Sequence, residues 1–393
     1  MAGDYLNICI GSLEWARKRQ FRGYSKFDAL NSPFLRLLSA RSRFLRSAFV
    51  FGTSRMPVNI RPLLGVCKKQ NPKGLALFAR AYLNLFELTG ENRFKQQAVE
   101  LLEMLLRVSQ IHRFSGHCWG YDHPWQNIAF YIPAYEPNCV VTCAAGQAFL
   151  QAYRLFGDDE FLSIAKSVSA FLLKDLRQIE VGPQMRCCSY DLHSGWRVIN
   201  VSAFASAYLA QIFKLTGDQN CQSASMEMMR WVISQKTNYH AWYYTDPPDA
   251  SRITHDNYHT GFVLDSIQEY LEVFPDAQIE KAWRGGLEFY VQHLFTEDFA
   301  PKWMHDRTFP HDIHGAAQGI ITFARAKDGE YLNKAHSVLD WTLKNMYQPR
   351  QRRFFYQKGK YWTKRFTLMR WCQGWMCYAI SEYLRIGGKQ KNA

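Results

Sequence analysis

Apolar residues recur at helical spacing along nearly the whole chain, and the segments they form come in pairs. Five stretches share one order: an apolar helix, a short turn bearing Gly, Pro or Asp, then a second helix entered through an aromatic or aliphatic residue and Ala. They are Leu85–Ala98, Tyr153–Ala165, Ile212–Ala224, Tyr270–Ala282 and Phe323–Ala335. Gly, Pro or Asp after a periodic segment is a helix C-terminal signal, so each stretch is predicted to be an αα-hairpin.

The first helix of each pair is small and apolar, as in Leu75-Ala76-Leu77-Phe78-Ala79 and Ser202-Ala203-Phe204-Ala205-Ser206-Ala207. Small residues permit close helix approach, so these helices suit an inner ring. The second helices, such as Arg93–Val108 and Asp159–Leu173, carry one charged and one apolar face, as an outer layer requires. Inner helices are predicted to start near Asn71, Asn138, Asn200, Asn257, His314 and Leu368, with Asn138, Asn200 and Asn257 as N-caps. Their partners start near Arg93, Glu160, Asn220, Ile279 and Tyr331, and Phe27–Phe51 is assigned as the sixth. The fold class is all-α: an (α/α)6 toroid of six helical hairpins. It is read as one domain over 1–393, with 1–26 an N-terminal extension packed on it. An open solenoid fits less well, because its repeats are shorter and lack such long returns.

Turns from inner to outer helix are short, whereas the returns are long: Gln110–Pro137, Arg177–Ile199, Lys236–Asp256, Thr296–Ile313 and Pro349–Thr367. In this topology all five lie on one face, and long loops in a compact domain tend to carry function. The fullest of them, Tyr243–Asp265, runs through Asp, Pro and His straight into an apolar helix.

Composition narrows the field. At 47% hydrophobic and 15% aromatic, the 393-residue chain can bury a large core. No apolar run approaches the length of a membrane span, and the first thirty residues hold no signal-peptide h-region. Ten Cys without an export signal point to a reducing cytoplasm. The net charge of +14 favours an anionic partner, or serves only as a solvated basic surface. Nucleic acid is disfavoured, since zinc-finger, RNP and helix-turn-helix signatures are lacking. Neither a Walker A nor a Rossmann glycine pattern occurs, and the Cys spacings do not make a zinc site, so the expectation is no cofactor and no metal.

Candidate chemistry gathers where inner helices begin, because their free N–H groups and dipoles favour anions there. Asp256 with His259 and Asp312 with His314 hold matching positions in adjacent repeats. Two carboxylates across one cleft can serve as acid and base on a glycosidic bond. Two histidines can instead move a proton at a sugar carbon. Arg61, Arg197 and Arg370 are candidate clamps for a carboxylate or phosphate, Tyr258, Trp119 and Trp303 candidate platforms for sugar rings, and Asp122 and His123 further polar contacts. Each has a structural alternative, as a cap, a loop ion pair or a buried ring.

Several segments resemble a bacterial and archaeal polysaccharide-biosynthesis family of the VpsJ type, some of whose members carry the label delta-aminolevulinic acid dehydratase. They are Gly23–Ser32, Pro57–Gly65, Asn71–Leu77 and Asn257–Asp265, with Ser25-Lys26 standing where Asp-Pro is expected. The resemblance implies a six-hairpin-glycosidase-like toroid acting in exopolysaccharide, capsule or O-antigen production, and places Asp28, Asn31, Arg61, Asn257, Tyr258 and His259 in the shared pattern. It supplies no reaction. Hydrolase, lyase and epimerase stay open, on an anionic glycan or lipid-linked oligosaccharide. The alternative is a non-catalytic glycan-binding or scaffold component, touching a membrane or a glycosyltransferase through its basic ends.

Overall fold

In the computed structural model, which describes residues 2–126 and 131–391, capping residues set the helix starts. Asn71 opens α4 (Pro72–Thr89) by accepting the Gly74 N–H at 3.2 Å, and Asn138 opens α6 (Cys139–Phe156) by accepting that of Val141 at 3.0 Å. The next inner helices are α8 (Ile199–Thr216), α10 (Asn257–Leu271), α12 (Ile313–Arg325) and α14 (Trp375–Lys391), the last entered through a π-helical turn over Met369–Gly374. Gly90, Gly157 and Gly217 close α4, α6 and α8 at φ of 71°, 69° and 72°, a left-handed conformation that only glycine adopts without strain.

Two caps differ from the sequence reading. Asn200 lies inside α8, with Val198 at the cap. Asp256, not Asn257, caps α10, because the Asn257 side chain is spent across the hairpin, donating to the Leu294 carbonyl and accepting from the Tyr290 hydroxyl.

The inner helices close a ring: α4 packs on α6, then α8, α10, α12 and α14 follow, and α14 returns to α4. The outer layer is α5 (Asn92–Arg107), α7 (Asp159–Ala170), α9 (Gln219–Ser234), α11 (Ala277–Leu294) and α13 (Gly329–Met346), each against its own inner helix. The sixth outer position is filled by α1 (Ala2–Arg17), which packs on α14. The segment Phe27–Phe51 does not fill it. Its two helices, α2 (Pro33–Leu38) and α3 (Arg43–Arg55), lie with the 3-10 turn at Ala29–Asn31 over a small core of Ala29, Leu30, Leu35 and Val50. The outcome shows in burial: α1 buries Tyr5, Cys9, Leu13 and Ala16, whereas α2 and α3 leave most apolar side chains outward. One hydrophobic core runs from Tyr5 to Ile386, and burying each large inner-ring side chain contributes about 1.5–3 kcal/mol. No described helix is long and apolar enough to cross a membrane.

Short ribbons tie the long returns to the helix starts. Arg197–Val198 pairs with Thr245–Asp246, and His311–Asp312 pairs with Gln357–Lys358, which pairs with Thr363–Lys364. These pairings hold the returns over the N-terminal ends of the inner ring.

Candidate active site

Asp256 has two tasks. As the cap of α10 its Oδ1 accepts the His259 N–H at 3.2 Å, and its two oxygens lie 3.0 and 2.8 Å from His259 Nδ1. Nδ1–H donating to this carboxylate leaves Nε2 as the proton acceptor, a tautomer set by the bonding. The matching cap in the next repeat is arranged differently. Asp312 Oδ1 accepts from the His314 N–H at 2.9 Å and from Trp371 Nε1 at 2.7 Å. Oδ2 accepts from Gln357 Nε2 at 2.7 Å and lies 4.0 Å from Lys26 Nζ. Asp312 is thus enclosed by donors.

His314 makes the sharper contrast. It is only 2% exposed, yet neither ring nitrogen has a hydrogen-bond partner among the described residues. Its ring lies against Tyr258 at 4.5 Å and 10°, against Trp375 at 4.4 Å, and edge-on to Trp371 at 4.5 Å. Burial first, then the charges of Lys73, Arg370, Lys26 and His259, hold its pKa well below the usual histidine value. The result is a neutral imidazole with one donor and one acceptor unspent, an arrangement that costs stability unless a ligand completes it. Tyr258 also lies 4.3 Å from His259, and so stands between the two imidazoles. Burial and the Asp256 and Asp312 charges push its phenol well above the ordinary range, so it remains a hydroxyl donor.

Cations gather at the same helix ends. Lys73, in the first turn of α4, is buried beside the rings of Phe262 and Trp375, 5.1 and 5.2 Å away, and forms no ion pair among the described residues. Burial, reinforced by Arg370, draws its ammonium pKa far down. Arg370 is buried over Tyr121 and Trp371, its Nε has no partner, and it too forms no ion pair among the described residues. Lys26 sits 4.1 Å over Trp371 and 5.2 Å over Trp303, and burial lowers its pKa against the pull of Asp312 and Asp256. Lys73 escaped the sequence reading, which took Asn71-Pro72-Lys73-Gly74 as a helix start. Lys26 was visible only as an unexpected residue in a resembling motif.

The remaining candidates are placed as follows. Trp303 lies beside Lys26. Asp122 and His123 are buried and paired at 3.0 Å, and Asn71 donates to Asp122. Burial alone would raise the Asp122 pKa, but His123, Asn71 and Arg370 together hold it below the usual carboxylate range. Three expectations need correction. Arg61 is not a clamp: its guanidinium is buried on Asp28 at 2.6 Å and donates to the carbonyls of Ser25 and Lys26, so it positions the Lys26 segment. Arg197 is committed to Asp246 at 3.2 Å. Trp119 is no platform, because its ring is buried on Phe149 and its Nε1–H donates to the Leu105 carbonyl.

A cavity of about 710 Å³ opens at the other end of the ring, among the C-terminal halves of the inner helices. Its charges satisfy one another: Arg325 meets Glu269 at 2.7 Å and Glu382 at 3.0 Å, and Arg385 meets Glu382 at 3.0 Å. The unspent groups are at the loop end.

A closed ring of six helical hairpins is an (α/α)6 toroid. Among solved structures, the chain is similar to the unsaturated glucuronyl hydrolase of Streptococcus agalactiae, with TM-score 0.61 and 12% identity over 99% of this chain and 92% of that one. It is similar to the cellobiose 2-epimerase of Bacillus thermoamylovorans, with TM-score 0.60 and 10% identity over 80% and 88%. The GH76 α-mannanase of Bacteroides thetaiotaomicron matches with TM-score 0.61 and 13% identity over 82% and 87%. No protein-family model matches the chain, and no curated protein sequence matches it. At these identities the likeness establishes the fold.

Proposed function

We propose that this chain is a carbohydrate-active enzyme that moves a proton at a sugar carbon, as an epimerase, isomerase or lyase does, on a sugar bearing a carboxylate or phosphate. The observation that carries the reading is the pairing of unlike histidines. His259 is oriented by Asp256 with Nε2 open to accept a proton, and His314 is neutral with both nitrogens unspent. Tyr258 lies between them as a hydroxyl donor for a sugar oxygen, and Lys73 and Arg370, which form no ion pair among the described residues, stand at the same helix ends. In the forward step His259 Nε2 takes the proton from carbon alpha to the carbonyl, the electron pair moves onto the carbonyl oxygen, and Tyr258, Lys73 and Arg370 stabilise that charge. Reprotonation from the opposite side by a water hydrogen-bonded to the neutral His314 inverts the centre, and the hydroxide left behind takes up the proton held by His259.

Hydrolysis fits less well, because the donors around Asp312 and the His259 ring on Asp256 occupy both candidate carboxylates. Toroid relatives named as an epimerase and a glucuronyl hydrolase are consistent with a glycan substrate and an anionic one. The resembling motifs support a place in polysaccharide biosynthesis, and ten free cysteines support a cytoplasmic one.

The test is incubation with reducing sugars, uronic acids and sugar phosphates in D2O, read by NMR and mass spectrometry. Deuterium entering at the carbon alpha to the carbonyl, with inversion or a new double bond, is the expected result, lost in His259→Ala and in His314→Ala. Cleavage of a glycosidic bond without carbon-bound deuterium would refute the proton-transfer reading.

A further inference from the structure

Two acid-free stretches of the chain meet on one face. No Asp or Glu occurs between Asp28 and Glu87, or between Asp340 and Glu382. The Trp362 indole donates to the Pro57 carbonyl at 3.3 Å and Lys364 Nζ to that of Ser54 at 3.1 Å, joining the late loop to the end of α3. Between them lies a groove of about 740 Å³. Arg19, Arg22, Lys68, Arg353 and Arg365 line it together with Trp15, Tyr24 and Phe366, and no carboxylate does. None of the five cations forms an ion pair among the described residues. Their partners are neutral: Arg19 donates to the Trp15 carbonyl at 3.0 Å and lies 3.9 Å over its ring, Arg353 donates to the Arg365 carbonyl at 2.8 Å, and Lys68 lies 5.3 Å over Tyr24.

The rim of this groove is apolar and exposed. Val58 is 54% exposed, Trp362 58% and Tyr361 87%. At the far end of α3 the pattern repeats, with Leu37 at 76% and Phe44 at 79% beside the exposed Arg36 and Arg43. Arg46 donates to the Ser39 and Ala40 carbonyls and so fixes α2 against α3. Apolar side chains interleaved with arginines, and Trp and Tyr at the margin, are the composition of a surface that sits in the headgroup layer of a bilayer.

We propose that this face docks on an anionic membrane, with a lipid phosphate seated in the Arg22–Lys68–Arg365 groove and the apolar rim dipping among the acyl chains. Charge decides the occupant. A second copy would bring the same uncompensated cations to a two-fold contact and repel it, whereas an anionic bilayer complements them. The site is independent of the reaction: it uses none of the groups assigned to proton transfer. The Lys26 segment links the two, since Phe27 packs on Phe51 of α3 at 6.0 Å, so docking would set the Lys26 end of the ring beside the lipid surface.

The test is co-sedimentation of the full chain with phosphatidylcholine vesicles with and without phosphatidylglycerol. Binding is expected only with phosphatidylglycerol. The triple variant Arg22→Gln, Lys68→Gln, Arg365→Gln, all exposed positions, is expected to weaken it on the order of a hundredfold, as removal of three surface cations implies. Val58→Ser with Trp362→Ala should abolish the binding that survives high salt. Equal binding to neutral vesicles, no binding to either, or an unaffected triple variant overturns the proposal. So does saturable binding of inorganic phosphate without any vesicle binding.

Discussion

Replacing Lys73 by methionine should make the protein more stable while disabling it. The Lys73 ammonium is buried among Phe262, Trp375 and Phe204, with no ion pair among the described residues and Arg370 nearby. An ion buried in this way costs several kcal/mol even after relaxation, and methionine keeps the packing of the stem without the charge. A gain of about 1–3 kcal/mol follows, a few degrees in Tm. The sign of its pH dependence is fixed by the lowered pKa. Below the folded pKa both states hold the proton and the full cost is present. Between that pKa and the unfolded value near 10.4 the unfolded chain holds a proton the native one has released, so wild-type stability rises with pH. The advantage of Lys73→Met should therefore be largest in acid and shrink toward alkaline pH. Calorimetry across pH 6–9 with and without phosphate or glucuronate measures both effects. An anion at about a hundred times its Kd should add about 2.7 kcal/mol to wild type and nothing to the variant. A destabilised Lys73→Met, or an advantage independent of pH, would refute the assignment of Lys73 as an uncompensated cation kept for a ligand.

Other outcomes follow from the same geometry. Asp256→Asn should lower turnover on the order of 10²–10⁴-fold by releasing His259, and cost about 1 kcal/mol or less as a weakened cap, separable by steady-state kinetics and thermal melts. Arg61→Met should cost about 3–5 kcal/mol by leaving Asp28 buried and unpaired, and Asp28→Asn in the same chain should restore much of it in urea titrations. His314, with its pKa depressed, refuses a proton that the unfolded chain accepts, so stability should fall as pH drops below about 6.5, and His314→Phe should flatten that slope. Trp119→Phe should cost about 0.5–1.5 kcal/mol, removing one of the two donors to the Leu105 carbonyl, which keeps the Val108 N–H, and should not change KM.

The toroid was legible because its information is local. Helical periodicity, a Gly, Pro or Asp stop and a cap recur in every hairpin, and five repeats leave one arrangement that buries all the small-residue faces. The sixth outer helix was misplaced for a reason that is not local: Phe27–Phe51 is as apolar as Ala2–Arg17, and only the competition for the α14 surface distinguishes them.

The site divides along the same line. Asp256, Tyr258, His259, Asp312 and His314 could be named because repeat register places them at helix starts, and register is read along the chain. Which carboxylate grips a histidine and which is enclosed by donors is decided by Trp371, Gln357 and Lys26, residues 45 to 286 positions away from Asp312 in sequence, where 312 − 26 = 286 and 357 − 312 = 45. Arg61 and Arg197 illustrate the converse. An arginine at a cleft edge looks the same in sequence whether its charge is spent on Asp28 or Asp246 or left for a ligand. The cations that matter here are those the fold leaves without a counter-ion, and Lys73 is distinguished from the other Lys and Arg residues of a strongly basic chain only by where α4 buries it. Reserving a buried cation and an unbonded imidazole in an otherwise satisfied interior costs stability, and a bound anion would repay that cost, which is why the stability of Lys73→Met bears directly on function.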